Sequence, residues 1–433
     1  MRKANVIGAG LAGCEAAWQL AQKDIRVTLY EMRPQKMTPA HETDKLSELV
    51  CSNSLKADRI DHAAGLLKEE MRRMGSIVME AADATRVPAG GALAVDRESF
   101  SAYITQRIER HPNIRLIREE VTEIGSDTPV IVATGPLSSS GISDSIAKLV
   151  QQKHLYFYDA AAPIVIYASL NLDRVFRASR YGRGEDDYIN CPMNREEYLA
   201  FYQELTHAEE APMNEFEDSR VFEGCMPIEI MAKRGIDTIR FGPLKPVGLR
   251  NPATGKEAFA VVQLRQDDAR GTLYNMVGFQ THLKFGEQKR VFSMIPGLEN
   301  AEFARYGVMH RNTFLHSPEL LDCFYRLKSR PDIFFAGQLT GVEGYMESAS
   351  SGLLAGYNLA RILKGKEPVD FTDQTVMGAL AHYISRPVVR DFQPMNATFG
   401  IVAPLGKRIR NKREKNQAVA ERALETLRIK LTD

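Results

Sequence analysis

The segment Val6-Ile7-Gly8-Ala9-Gly10-Leu11-Ala12-Gly13 leaves this chain little choice of fold at its N-terminus. A short apolar strand runs into three glycines spaced G-x-G-x-x-G, and the spacing predicts a helix behind them over Cys14 to Gln22. In such a unit the first glycine makes the tight turn and the second lets backbone N–H groups approach a pyrophosphate. The third allows helix and strand to pack closely. The helix points the positive end of its dipole at the phosphates. A second strand, Arg26 to Tyr30, ends at Glu31, where a ribose-binding acid belongs. A carboxylate there accepts from a free 2′-OH and repels a 2′-phosphate, so FAD or NAD is the expected ligand rather than NADP. Gly8, Ala9, Gly10, Leu11, Ala12, Gly13 and Glu31 are therefore candidate cofactor-binding residues.

With 433 residues and 44% apolar side chains, the chain can bury more than one core. No apolar run approaches the roughly 18 residues that cross a bilayer, and the first strand leaves no room for a cleaved leader; a cytoplasmic protein without membrane contact is expected. The five cysteines, Cys14, Cys51, Cys191, Cys225 and Cys323, form no CxxC and no Cys/His cluster, so neither a disulfide framework nor a metal site is expected. Charge is distributed unevenly. From Arg386 onward the chain carries a net +6 against −5 for everything before it, and Lys407 to Lys415 packs six cations into nine positions. An anionic partner would dock there.

Farther along, Met32 to Asn53 reads as a loop, helical spacing covers residues 63–74 and 99–110, and short strands are predicted at Ile114–Ile117 and Val121–Ile124. Pro129 to Ala133 is a buried strand that delivers a Thr134-Gly135 turn. Residues of about 155–325 have a different texture, with strands at Pro163–Leu170, Glu257–Gln263 and Leu273–Val277 and no second G-x-G-x-x-G. Asp332 to Ala336 reads as a returning parallel strand, followed by Gly337, Gln338, Gly341 and Tyr345 and by a helix opening after Glu347 and running to Leu363. A last helix, Asn411 to Leu431, carries Ala420, Leu424, Leu427 and Leu431 on one stripe. The expected fold is α/β: a discontinuous Rossmann-type dinucleotide-binding domain (1–155 and 326–433) with an inserted mixed α+β domain (156–325) and a basic C-terminal helix.

Six segments carry a resemblance: GAGLAGCEAAWQLA at the start, ELVCSNSLK around Cys51, FEGCMPIE around Cys225, MHRNTF at 309–314, GQLTGVEGYMESASSGLLAG at 337–356 and FQPMNATFGIVAPL at 392–405. Together they resemble the folate- and FAD-dependent tRNA (uracil-5-)-methyltransferases. The first and fifth are also similar to a larger flavoprotein that installs carboxymethylaminomethyl groups on tRNA uridine, but Cys51, Cys225 and FQPMNATFG separate the two. The resemblance implies FAD as cofactor, methylenetetrahydrofolate as carbon donor, NADPH to re-reduce the flavin and a T-loop uridine of tRNA as substrate, with no obligatory protein partner. It implies that Cys225 adds to C6 of uracil, which turns C5 into a nucleophile, and that Cys51 is the thiol beside the flavin. Because the folate carbon is at the formaldehyde level, a hydride is also required, and reduced flavin supplies it.

By the same resemblance His310 stacks on the pterin with Asn312 as a polar neighbour, while Gly337, Gln338, Gly341 and Tyr345 lie along the flavin. Gln338 departs from the Asp that many two-nucleotide flavoproteins carry after this glycine. Lys45 and Lys56 are candidates to lower the pKa of Cys51, whereas Glu223 and Glu229 would raise that of Cys225 unless one is its base. Two alternatives stand beside methylation: the carboxymethylaminomethyl chemistry, and a flavin-bound RNA-binding protein without turnover.

Overall fold

The computed structural model describes all residues except 1, 126, 152–154, 161, 183–184, 212–225, 253, 308, 388–391, 407 and 433; for 155–160 and 309–313 it describes only the backbone. The architecture is α/β. A six-stranded sheet runs in the order Arg326–Leu327, Arg330–Phe335, Val130–Val132, Lys3–Ile7, Arg26–Glu31, Ile114–Arg118. All pairs in it are parallel except the edge pair formed by Arg326–Leu327 with Arg330–Phe335. Two distant parts of the chain thus share one sheet, because Ile333–Phe335 pairs with Val130–Val132. Val130, Ile131, Val132, Ile333, Phe334 and Phe335 are all buried, as expected for parallel strands covered on both faces.

A second six-stranded sheet, wholly antiparallel, holds Phe176–Arg177, Tyr188–Met193, Ala260–Gln266, Leu273–Met276, Ile164–Ile166 and Phe303–Arg305 in that order. Its core is separate from the first: Ala162 to Ala301 supply one buried cluster, while Ala4 to Val150 and Phe314 to Leu427 supply the other. Where the chain leaves one sheet system and returns, Leu155–Ala160 and Met309–Phe314 pair as a two-stranded antiparallel ribbon. A three-stranded sheet of Ser54–Ala57, Ala92–Val95 and Arg86–Val87 completes the strands.

Close approach explains the glycines around the first turn. Gly8 has φ +95°, and a Cβ on it would meet the Ala133 carbonyl oxygen at 2.5 Å; one on Gly13 would lie 1.8 Å from the Gly8 oxygen. The helix Leu11–Ala21 packs against Tyr345–Leu363, where Gly352 and Gly356 face the Ala12 and Ala16 backbone so closely that added methyl groups would reach 2.0 and 2.6 Å from their oxygens. Both helices are buried over most of their length.

Several boundaries differ from the sequence reading. The first helix begins at Leu11 rather than Cys14, because Gly10 already serves as its N-cap. The segment Val121–Ile124 is not a strand: the sheet ends at Ile114–Arg118, and the Ile124 N–H donates to Ser145 Oγ instead. Within Pro163–Leu170 only Ile164–Ile166 is extended before a 3-10 turn. Glu347 lies in the first turn of its helix, which opens at Tyr345. The last helix spans Lys412–Thr432 and buries Ala420, Leu424 and Leu427, with the leucines contributing roughly 1.5–3 kcal/mol each.

Candidate functional site

At the C-terminal ends of the parallel strands lies a cleft of about 1070 Å³, including its open mouth. Ligands of open α/β sheets bind in such a crevice outside the carboxyl ends of the strands. Gly8, Ala9, Gly10, Leu11 and Ala12 form one wall, Glu31 and Arg33 a second, and Gly337, Gln338, Tyr345 and Ser348 a third. The loop Thr134 to Ser139, delivered by Val130–Val132, closes the remaining side. Gly13 supports the turn from beneath without lining it. Gly341 is not on the wall either: its φ of +83° lets the Phe392 ring lie where a Cβ would be, at 2.4 Å. Its carbonyl accepts from the Met395 N–H, which ties FQPMNATFG to the returning motif.

The Glu31 carboxylate is buried and accepts from the Ala9 N–H at 3.0 Å and from the Arg33 N–H and Nε at 3.1 and 2.9 Å. Burial alone would raise its pKa, but the Arg33 guanidinium outweighs that and holds the carboxyl below the ordinary value. Arg33 in turn reaches Glu48 at 3.1 Å. Sequence reasoning missed this arginine, although it stands two residues past the acid. At the other end Gln338 Nε2 donates to Glu343 Oε2 at 2.6 Å. Gln338 lines the cleft, and Glu343, which orients its amide, lies behind it.

Cys51 follows Val50 of the cleft wall, and its N–H donates to Tyr345 Oη at 2.7 Å; the Ser52 N–H reaches the same oxygen at 3.3 Å. Burial, reinforced by Cys51, pushes the Tyr345 phenol well above its usual range, so it stays a neutral acceptor. Lys45 pairs with Glu98 at 2.9 Å, and Lys56 bonds Glu347 at 3.2 Å and Asn396 at 2.8 Å. Arg97 stands beside the thiol loop: its Nη2 donates to the Cys51 carbonyl at 3.1 Å and its Nε meets Asp267 at 2.8 Å. Burial works against its charge, yet Asp267 holds its pKa above the ordinary value. Arg265 braces the same loop, donating to Ser52 Oγ at 2.7 Å and Asn53 Oδ1 at 3.1 Å. Both arginines stand far from Cys51 in the chain, and no local pattern marks them.

Cys225 and Glu223 lie outside the described residues, as do the side chains of His310 and Asn312, whose backbone pairs with Asp159 and Phe157 in the two-stranded ribbon. Glu229 is buried and bound to Thr281 Oγ1 and the His282 N–H; burial raises its pKa. Cys14 is fully buried with its Sγ on the Ala9 carbonyl, a packing residue as expected, and Cys191 lies in the second core. In the basic tail Arg408, Arg410, Lys412, Arg413 and Lys415 are exposed, and Arg413 approaches Asp61 at 3.7 Å.

Comparison with known proteins agrees with this geometry. The family described as "GIDA: Glucose inhibited division protein A" matches residues 3–367. A Ligilactobacillus salivarius protein named "Methylenetetrahydrofolate--tRNA-(uracil-5-)-methyltransferase TrmFO" is 61% identical over 424 residues, covering 98% of this chain and 97% of its own. Proteins of the same name from Bacillus licheniformis and from Listeria monocytogenes strain F2365 are each 60% identical, covering 98% and 99% of this chain and 98% of their own. Among solved structures, Aquifex aeolicus GidA superposes with a TM-score of 0.72 at 17% identity, covering 99% of this chain and 75% of that one. That likeness speaks for the fold alone. Identity of this order over almost every residue, on a cleft with these walls, makes the chain a member of the methylenetetrahydrofolate--tRNA-(uracil-5-)-methyltransferase family.

Proposed function

We propose that the protein methylates C5 of a uridine in tRNA, in the T loop, with methylenetetrahydrofolate as carbon donor, FAD as cofactor and NADPH as reductant. The near full-length identity of about 60% to proteins named for this reaction carries the reading. The cleft fits FAD in its own right. Gly10 presents open space at the N-terminus of Leu11–Ala21, where a pyrophosphate belongs, and Glu31 keeps its charge at neutral pH. When bound, the flavin supplies the hydride that completes the methyl group.

In this reading Gly8, Ala9, Gly10, Leu11, Ala12 and Glu31 hold the nucleotide, and Gly337, Gln338 and Tyr345 flank the isoalloxazine. Tyr345 and Arg97 fix the Cys51 loop at the cleft edge, so that the thiol handles a proton or an adduct there. Cys225 adds to C6 of the uracil, while His310 and Asn312 hold the folate. The reading also takes residues 1–155 and 326–433 as the FAD-binding domain and 156–325 as the substrate domain, and places the work in the cytoplasm, where tRNA is.

The test is incubation of the enzyme with labelled methylenetetrahydrofolate, NADPH and unmodified tRNA. Label in 5-methyluridine is expected, and Cys225→Ala abolishes it while the protein keeps bound FAD. Label absent from the tRNA, with FAD bound and reduced, overturns the reading.

A further inference from the structure

Away from the cleft, three side chains from separate segments of the returning part of the chain meet. One ligand atom each from Cys323, Asp370 and His382 lie within 4.8 Å of one another, and none of the three lines the cleft. They stand 47 and 12 positions apart in the chain, so no Cys/His spacing announces them. Tetrahedral zinc holds sulfur at about 2.3 Å and nitrogen or oxygen at about 2.0–2.2 Å, which sets its ligands roughly 3.4–3.6 Å apart. The trio closes on one ion with shifts of about 1 Å, within reach of side-chain torsions. His382 Nε2 already meets Asp370 Oδ1 at 2.8 Å.

Each of the three is mounted on a braced segment. Asp322 pins the turn that carries Cys323: its Oδ1 accepts from the Phe324 and Arg326 N–H groups at 2.9 and 3.0 Å, and its Oδ2 from Arg326 Nε at 2.8 Å. Asp370 follows Val369, whose N–H and carbonyl both bond the Asn358 amide, and its own Oδ1 accepts from the Thr372 N–H at 2.7 Å. His382 stands in the last turn of Val376–Tyr383, a helix whose first N–H groups are capped by the Glu70 carboxylate and the Thr375 hydroxyl. Supporting bonds of this kind fix the aim of metal ligands.

The surroundings favour a cation. Burial, and then the charges of Asp370 and Asp322, push the Cys323 thiol up to about 11, so by itself it is a poor nucleophile. Nearby positive groups are already engaged: Arg326 by Asp322, and Arg386 by Asp373 at 2.9 Å. Arg386 also approaches His382 Nδ1 at 3.4 Å, a long contact from an exposed side chain that gives way when the ring proton moves to Nδ1 and Nε2 takes a metal. Thiolate, imidazole and carboxylate together select a borderline-soft divalent ion such as zinc over magnesium or calcium, which take oxygen ligands. His382 and Asp370 are 20% and 40% exposed, which leaves an entry path and a fourth position for water.

We propose that Cys323, Asp370 and His382 form a zinc site, which staples the turn leading into the edge strand Arg326–Leu327 to the helix Val376–Tyr383. Binding replaces the thiol proton. The test titrates the full-length FAD-bound protein with Co²⁺, whose visible bands in a tetrahedral thiolate site fall to the red of the flavin. Bands that saturate at one ion per chain, bleach on addition of Zn²⁺ and ignore Mg²⁺ are expected. Zinc at about 100 times its dissociation constant should raise the melting temperature by about 3 °C. Cys323→Ser and His382→Gln should each weaken Co²⁺ binding more than about tenfold while FAD stays bound. Should either variant fail to fold, the wild-type protein still decides: excess zinc should slow alkylation of Cys323 by iodoacetamide, read from the mass of its peptide. No cobalt bands, bands that persist in both variants, or alkylation of Cys323 at an unchanged rate in excess zinc overturns the site.

Discussion

Gly10→Ala separates the role of the first turn in holding a cofactor from its role in folding. Gly10 sits at φ −74°, a value any L-residue adopts, and a Cβ there meets nothing within 4 Å. The cofactor-free protein should therefore tolerate the methyl within about 0.5 kcal/mol. A pyrophosphate seated on the N-terminus of Leu11–Ala21 would share that space, and overpacking of one methyl costs about 1–3 kcal/mol. All of that cost falls on the FAD-bound state, so the dissociation constant for FAD rises about 5- to 150-fold. Gly13→Ala is the contrast: its Cβ would lie 1.8 Å from the Gly8 oxygen whether or not FAD is present. It should lower the stability of both forms. Thermal melts of apo and FAD-saturated protein, with FAD titration followed by quenching of flavin fluorescence, read the two effects apart. If Gly10→Ala binds FAD as tightly as wild type, no phosphate lies over this turn, and the assignment of the cleft is wrong.

Other substitutions reach the thiol loop and the helix interface. Tyr345→Phe removes the acceptor of the Cys51 and Ser52 N–H groups, a loss of about 1–3 kcal/mol; methylation should fall sharply while the FAD absorbance of the purified protein is retained. Arg97→Gln leaves Asp267 buried without its cation and should cost about 3–5 kcal/mol in urea unfolding. Gly352→Ala would press a methyl to 2.0 Å from the Ala12 oxygen, lowering the melting temperature and weakening FAD together, because the displaced helix carries the phosphate site. Lowering the pH gives a fourth measurement. The folded-state pKa of Glu31 lies below its unfolded value of about 4.3, so the unfolded chain takes up the proton first. The Glu31–Arg33 pair thus stabilises fully above about pH 5 and progressively less as pH falls through the folded pKa, and Glu31→Gln should flatten the acid limb of a stability–pH profile.

What could be read from the chain alone was local chemistry. Three glycines, an acid at the end of the second strand and the returning Gly337–Tyr345 motif each declare themselves within about ten residues, and the fold brings them around one cleft. The GxxxG pair Gly352 and Gly356 was legible in principle, as small residues one turn apart, but its meaning depends on Ala12 and Ala16 lying opposite. Arg97 and Arg265 were not legible. Their bond to the Cys51 loop exists only after two sheets have assembled, and a charged residue in a sequence looks the same whether it ends in solvent or against a carbonyl. Val121–Ile124 shows the opposite error: the segment read as a short strand leaves the open edge of Ile114–Arg118 unpaired, and its Ile124 N–H goes to Ser145 Oγ instead.

The pairing of Ile333–Phe335 with Val130–Val132 bears on how the protein comes into being on the ribosome. Roughly 200 residues separate the partners, and at ~5–20 residues per second the early half waits about 10–40 s for its missing strand. During that interval Val130–Val132 is an open edge, and the wall carrying Gln338 and Tyr345 has not been synthesised. Flavin capture therefore belongs to the end of translation, and the inserted sheet, all of whose strands lie between Ile164 and Arg305, is free to assemble first. A nascent chain stalled before Arg330 should be colourless, and one extended past Leu363 should hold flavin.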